Sequence, residues 1–210
     1  MTAIASALPR PPRWMIGFLL KPGNWLPALV WLFLVFNQAL NSGWPPALGT
    51  MGLVLINSVA MVLFLARRDA FRTGGKIEGV IALSGTFAVS FLKDAEQLRD
   101  ANVLPTAIQT VALIGWAISL AALGRSFGVV PADRGLVRNG PYRVVRHPIY
   151  AFEALFSLGF LMAVPTLRSA VIIVVWCALQ VTRIVLEERI IAGYGEYRQA
   201  VRWRIIPGLW

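Results

Sequence analysis

The residues best suited to chemistry form two polar clusters on either side of a long apolar stretch. The only histidine, His147, lies in the segment Gly140–Tyr150, and the second cluster, Arg183–Arg189, follows an apolar helix. The apolar sequence between them reads as a helical hairpin, which would return both clusters to one membrane face. Several polar groups at one depth of a membrane protein usually mark a functional site. We therefore expect a site where the two clusters meet.

The residue types in these clusters favour the binding of charged groups. Arg183 and Glu187 are four residues apart and share a helix face, where a guanidinium can bind a carboxylate through two hydrogen bonds. Glu153, one turn after Tyr150, either pairs with an arginine or receives a cationic ligand. No serine or cysteine is placed to be activated by His147. A neutral imidazole that positions a cofactor is therefore the simpler interpretation.

Each feature also has a purely structural interpretation. The pair Arg183–Glu187 is compatible with a surface ion pair, and His147 with a residue that holds its loop through hydrogen bonds. The segment Ala192–Trp210 is rich in tyrosine, tryptophan and arginine. It is compatible with a short amphipathic helix on the membrane surface or with a lid over the site beside Arg183 and His147.

Composition identifies the chain as a membrane protein. Hydrophobic residues make up 57% of it and charged residues 14%, with a mean hydropathy of +0.66, which are not the values of a soluble domain. Six apolar runs approach the roughly 20 residues that cross a bilayer as a helix. We expect an all-α bundle of five to six transmembrane helices in one domain, 1–210, with a scaffold at 1–123 and a cofactor-binding and catalytic region at 124–210. The six runs are Trp25–Leu40, Ala47–Ala66, Ile77–Leu92, Leu104–Leu123, Ile149–Val164 and, after Pro165 and Thr166, Leu167–Leu186.

The net charge of +10 is explained by topology. With six spans, seventeen of the twenty lysines and arginines fall on one side, and only Lys93, Arg99 and Arg168 on the other. The positive-inside rule then places both termini and the site in the cytoplasm. We expect no nucleic-acid partner, and attraction to anionic lipids as a secondary effect. Residues 1–20 lack an apolar core before a cleavage site, so we expect no signal peptide.

Several ligand classes are excluded by missing motifs. The chain has neither GxGxxG nor GxxxxGK[ST], so it lacks a dinucleotide fingerprint and a phosphate loop. With one histidine and one cysteine, Cys177, a zinc site of the usual ligands is not expected. We predict no metal.

At these same residues the chain resembles the isoprenylcysteine carboxyl methyltransferase family and, more distantly, the phospholipid N-methyltransferases. The resemblance covers the last 88 residues and is specific to this superfamily of small membrane enzymes. It is not specific to one methyl acceptor. It rests on LGRSF (Leu123–Phe127), LVRNGPYRVVRHPIY (Leu136–Tyr150), Glu153, RIVLEE (Arg183–Glu188) and the YGEYRQAV and PGL motifs of the tail.

The resemblance implies that S-adenosylmethionine binds between the RHPIY segment and the ends of the last spans, under the C-terminal segment. His147 and Tyr150 would contact the cofactor, Arg183 would orient the acceptor, and Glu187 would act with it. The implied acceptor is lipophilic or lipid-anchored, and the favoured reaction is carboxyl O-methylation of an isoprenylcysteine-like substrate. The remaining residues implied are Pro141, Tyr142, Arg146, Glu153 and Glu188 for the cofactor and Tyr197 for the acceptor.

The chain departs from the family pattern in two respects, and three other functions stay open. Phe152 stands where the family commonly has a small residue, and the N-terminal half carries no family motif. The excess of arginine over lysine is typical of a GC-rich bacterial genome, so we expect a bacterial inner-membrane enzyme and a prenylated protein as an unlikely substrate. The alternative activities are a phospholipid N-methyltransferase and an NADPH-dependent sterol or enone reductase, which has a related C-terminal motif. A non-catalytic transport or assembly subunit would bind no nucleotide-like ligand.

Overall fold

A computed structural model of the chain describes residues 22–40, 48–88 and 102–210. Those residues form seven α-helices, two short strands and two 3-10 turns. The expectations about the segment before residue 22 and about the loop that carries Lys93 and Arg99 lie outside the described residues. The helices are α1 (Pro22–Leu40), α2 (Leu48–Ala66), α3 (Lys76–Ala88), α4 (Val103–Leu123), α5 (Pro148–Ala163), α6 (Leu167–Ile190) and α7 (Tyr194–Ala200).

Each of the six apolar runs contains a helix, which confirms an all-helical arrangement of these segments. Within the described residues, three helices are long and apolar enough to cross a membrane: Leu48–Ala66, Val103–Ser126 and Leu167–Ile190. Asn24–Leu40 and Pro148–Ala163 are apolar but shorter. The count of five to six spans and the cytoplasmic orientation of the termini therefore stay predictions.

An aromatic cluster joins the scaffold to the loop after α4. The rings of Trp31 on α1 and Phe64 on α2 have centroids 4.9 Å apart, and Phe64 meets Phe127 edge-on at 5.1 Å. All three side chains are buried. Edge-to-face aromatic pairs contribute about 0.5–1.5 kcal/mol beyond their buried area. This cluster fixes the start of the loop that leads to His147.

The loop between α4 and α5 is irregular but well paired. Its strand β2 (Ala132–Asp133) pairs antiparallel with β1 (Arg72–Thr73), and Gly74 N–H donates to the Pro131 carbonyl at 2.9 Å. Gly124 ends α4 with a φ of 50°, a conformation that glycine adopts without strain. Such pairing is what allows irregular backbone beside a membrane.

The predicted hairpin is present, but its two helices have different packing partners. Thr166 caps α6, its hydroxyl accepting from the Ser169 amide at 3.1 Å. α5 packs most extensively against α4, while α6 packs mainly against α3. α5 and α6 make few contacts with each other because a cavity lies between them. The apolar pattern identifies each helix but not its neighbours.

Candidate active site

A cavity of about 940 Å³ runs through the bundle. Its volume is at the upper end of the roughly 300–1,000 Å³ typical of ligand sites. One end is lined mainly by apolar side chains of α1, α2 and α4. The other end is lined by charged and phenolic groups of the loop, α5, α6 and α7. The apolar end includes Trp31, Leu34, Leu53, Ile56, Ala60, Trp116 and Leu120, and the polar end Arg134, Tyr142, Arg146, His147, Tyr150, Glu153, Arg183, Glu187, Tyr194 and Tyr197.

Glu187 is the central carboxylate of the polar end. Its Oε1 accepts a hydrogen bond from the Tyr150 hydroxyl at 2.5 Å and lies 3.4 Å from Nε of Arg183. Its Oε2 lies 3.9 Å from Nδ1 of His147. The predicted pairing of Arg183 and Glu187 on one helix face is therefore confirmed, and residues of the two polar clusters meet around this one carboxylate.

Arg183 is buried and lies between three groups. Its Nη1 donates to the Thr86 hydroxyl at 3.4 Å, and its guanidinium carbon lies 5.3 Å from the centre of the Tyr150 ring. Its Nε is at ion-pair distance from Glu187 but makes no hydrogen bond with it. The guanidinium is thus held by a helix outside the predicted hairpin, α3, as well as by its own.

Glu153 is the second carboxylate that lines the cavity. Its Oε2 accepts a hydrogen bond at 2.6 Å from the Gln180 side-chain amide, which joins α5 to α6 across the cavity. The other atom of that amide, Oε1, is buried and has no hydrogen-bond partner in the structure. No arginine lies within ion-pair distance of Glu153 among the described residues. We expected Glu153 either to pair with an arginine or to receive a cationic ligand. Its lack of an arginine partner among the described residues favours the cationic ligand.

Glu188 lies behind the cavity and is not part of its lining. Nε and Nη2 of Arg204 donate to its two oxygens, both at 3.0 Å, and the Tyr194 hydroxyl donates to Oε1 at 3.1 Å. His147 Nε2 is 3.3 Å and Arg146 Nη2 3.5 Å from the same oxygen. The hydrogen bond from Arg204 to Glu188 raises the pKa of the arginine.

The C-terminal segment packs against the RHPIY segment. Backbone N–H groups of Arg146 and His147 donate to the carbonyls of Trp203 and Arg204, both at 2.8 Å. The buried Tyr197 hydroxyl donates to the Tyr142 carbonyl at 2.6 Å. Burial raises the pKa of Tyr197 to about 12, so this phenol stays a neutral donor. The tail is therefore packed into the protein rather than lying only on a membrane surface.

Most of the predicted site residues line one cavity. They are Tyr142, Arg146, His147, Tyr150, Glu153, Arg183, Glu187 and Tyr197. The other two, Pro141 and Glu188, do not line it. Within the described residues, no group of three or more histidine, cysteine, aspartate or glutamate side chains is arranged to hold a metal ion.

Sequence reasoning did not select two residues of the polar end, Tyr194 and Arg134. The Tyr194 hydroxyl lies 2.9 Å from His147 Nε2, and the available signal was its place in the aromatic tail. Arg134 is buried at the cavity wall. Its only sequence signal is a charged residue within a glycine- and proline-rich loop, where most charges are solvated.

The residues that build the polar end fall within a known family pattern. Residues 103–196 match the family model described as phospholipid methyltransferase. This match confirms the resemblance to membrane methyltransferases over residues 103–196. Together with the apolar helices, the match indicates a membrane protein and points to methyl transfer. Among curated proteins, none matches the chain.

Proposed function

We propose that this protein is a membrane methyltransferase that uses S-adenosylmethionine and a lipophilic acceptor. The observation that carries the proposal is that one cavity has two chemically different ends. Its polar end holds the carboxylates of Glu153 and Glu187, and its apolar end extends between α1, α2 and α4. A cationic, water-soluble cofactor suits the first end, and an apolar chain suits the second.

The residues present fit this cofactor. In the part of the chain that the structure describes, Glu153 has no arginine within ion-pair distance, and it faces the cavity with Glu187. Phenol rings of Tyr142, Tyr150 and Tyr194 line the same end, and aromatic faces attract cations. When bound, S-adenosylmethionine supplies a methyl group on a positively charged sulfur, which an acceptor atom displaces in line. Glu153, Glu187 and the three tyrosines are proposed to hold it.

The chain's own part in catalysis is alignment and exclusion of water. Methyl displacement needs neither a metal nor a covalent enzyme intermediate. Holding two reactants in line can supply about 7–11 kcal/mol of barrier reduction in well-oriented systems. Arg183 is fixed by Glu187, Thr86 and the Tyr150 ring, which suits it to orient an acceptor group. We propose Arg183 and Glu187 as the catalytic pair, and Arg183 with Tyr197 on the acceptor side.

Glu188, which we expected to contact the cofactor, is better supported as a positioning residue. Its carboxylate is surrounded by Arg204, Tyr194, His147 and Arg146 and is absent from the cavity lining. We propose that it holds His147 and the tail in place. Pro141, also outside the lining, is proposed to shape the loop that presents Tyr142 and Arg146.

The acceptor proposed first is a lipophilic carboxylic acid, methylated on oxygen, because the cationic side chain of Arg183 lines the cavity. A phospholipid amine, methylated on nitrogen, is the second candidate and is favoured by the description of the matching family model. We further propose one domain, with the scaffold at 1–123 and the site at 124–210, in a bacterial inner membrane. Five to six spans would place both termini and the site in the cytoplasm.

Calorimetric titration of the detergent-purified protein tests the proposal. The ligands are S-adenosylhomocysteine, the demethylated product form of the cofactor, and, separately, NADPH. We expect saturable binding of the first and none of the second. Binding of NADPH alone would replace the proposal with a reductase. Absence of both signals from a protein with a cooperative thermal transition would support a non-catalytic role.

Methyl transfer itself is then measured with a radiolabelled methyl group. Two acceptor series are compared: prenylated or fatty carboxylic acids, and phosphatidylethanolamine. Label in a base-labile ester would indicate O-methylation, and label in a base-stable headgroup would indicate N-methylation.

A further inference from the structure

Arg134 is a buried cation at the cavity wall that the proposed roles leave unused. Its side chain is only 8% exposed, and it lines the cavity at the polar end. Its Nε is buried and has no hydrogen-bond partner in the structure. A buried charge is costly unless it is paired and hydrogen-bonded.

The nearby carboxylates do not supply the missing partner. Asp133, the adjacent residue, accepts backbone N–H groups of Gly135 and Ala192 with its two oxygens, both at 3.0 Å. Glu187 attracts Arg134 electrostatically, but its closest partners are Tyr150 and Arg183. Among the described residues, none places a carboxylate within ion-pair distance of the Arg134 guanidinium.

The surroundings of Arg134 destabilise the positively charged form of its side chain. Burial, followed by the positive charge of Arg67, lowers the pKa of Arg134 to about 10, and Glu187 opposes this only in part. The arginine nevertheless remains charged at neutral pH. A site of this kind is stabilised when a negative group of a bound ligand enters it.

The backbone beside Arg134 leaves room for a flat guanidinium. A Cβ atom on Gly128 would lie 2.5 Å from Nη1 and 2.9 Å from the guanidinium carbon of Arg134. The φ angle of Gly128 is not positive. Glycine at this position therefore provides space for the guanidinium rather than a special backbone conformation. A side chain at position 128 would push the guanidinium from its place, while the arginine itself would be retained.

We infer that Arg134 is an anion-binding residue of the cavity, which takes a carboxylate or phosphate group of a bound ligand. The inference rests on the proposed methyltransferase function. The anion has two possible sources, the amino-acid carboxylate of the cofactor and an acidic or phosphate group of the acceptor. A planar guanidinium suits either because it offers paired N–H donors to two oxygens.

Ligand titration of Arg134→Gln distinguishes the sources. The probes are S-adenosylhomocysteine and 5′-methylthioadenosine, which lacks the amino-acid carboxylate. If the cofactor supplies the anion, the first should bind about 10- to 100-fold more weakly, the range expected for one charge-assisted hydrogen bond, and the second as in wild type. If the acceptor supplies it, both bind as in wild type and KM for the acidic or phosphate-bearing acceptor rises by a similar factor.

Matched variants separate this role from damage to the fold. Arg138→Gln removes a nearby arginine whose ion pair with Glu196 is solvent-exposed, and it should change none of these constants. Gly128→Ala should reproduce the Arg134→Gln defect, since it displaces the guanidinium without removing it. Arg134→Lys should recover only part of the affinity, because it restores the charge without the paired donors.

Two outcomes overturn the inference. The first is unchanged binding of both probes and unchanged acceptor KM in Arg134→Gln. The second is an equal loss for both probes, which would mean a general disturbance of the site. Failure of the proposed function is distinct, because wild-type protein would then bind no S-adenosylhomocysteine.

Discussion

The two ends of the cavity are built in different ways. At the apolar end, side chains of α1, α2 and α4 leave open space, and a hydrogen bond from Asn57 to Gln38 at 3.1 Å joins polar groups of the lining. At the polar end, Glu187 in the lining and Glu188 behind it contact five of the lining side chains: Arg146, His147, Tyr150, Arg183 and Tyr194. The apolar end can therefore change its shape at low cost, whereas the residues around Glu187 and Glu188 depend on one another.

The comparison predicts the largest effect on turnover for Glu187→Gln. The change keeps the shape but removes the charge that holds Arg183 and faces His147. We expect turnover to fall by about 100-fold, since a hydrogen bond to a charged group contributes about 1.5–3 kcal/mol and several are altered together. Initial rates with radiolabelled cofactor measure this. Glu196→Gln, on an exposed carboxylate, is the control, and equal rates for the two variants would refute a catalytic Glu187.

Glu188→Gln should come next, with its main effect on the tail. Removing one partner of a buried ion pair costs about 3–5 kcal/mol, and the Glu188 side chain is 10% exposed. We expect a lower thermal transition and faster hydrogen exchange of the Tyr194–Ala200 helix. Arg189→Gln, next in sequence and exposed, should leave both unchanged. If hydrogen exchange of this helix stays slow in Glu188→Gln, Glu188 does not hold the tail in place.

Filling the apolar end should have a moderate and selective effect. Ala60→Phe adds a ring to the cavity wall, while Val62→Phe adds the same ring at an exposed position of the same helix. We expect KM for a long-chain acceptor to rise about 10-fold in the first variant only, as one or two excluded methylenes would produce. Affinity for S-adenosylhomocysteine should not change. A loss of cofactor affinity in Ala60→Phe would mean that the two ends are not independent.

The smallest effect concerns the bond between Tyr197 and the Tyr142 carbonyl. Tyr197→Phe should cost about 1 kcal/mol of stability, the usual net value of a hydrogen bond. The pKa of Tyr197 is raised to about 12, above the value of roughly 10 for an unfolded chain. The stability that this phenol provides is therefore complete below pH 10 and is lost as the pH rises towards 12. Thermal unfolding between pH 8 and 11 should show a steeper loss for wild type than for the variant.

The sequence predicted the helices and the meeting of the two polar clusters, because both follow from the length of the apolar runs and from helical periodicity. It did not show that Glu188 faces away from the cavity, because that depends on where the tail's Arg204 packs. The sequence also did not predict the path of the loop that buries Arg134. That path depends on the pairing of Ala132–Asp133 with Arg72–Thr73, which are far apart in the sequence.

The single carboxylate of Glu188 joins three separate segments of the chain: the loop before α5, the end of α6 and the tail. This has a consequence for how such sequences can diverge. Replacing Arg204 alone would leave the buried carboxylate of Glu188 without the two N–H donors of that arginine. Substitutions at these positions are therefore expected to occur together. Homologues that have lost this arginine should also have changed Glu188 or Tyr194, whereas the open wall around Ala60 is free to vary with the ligand it admits.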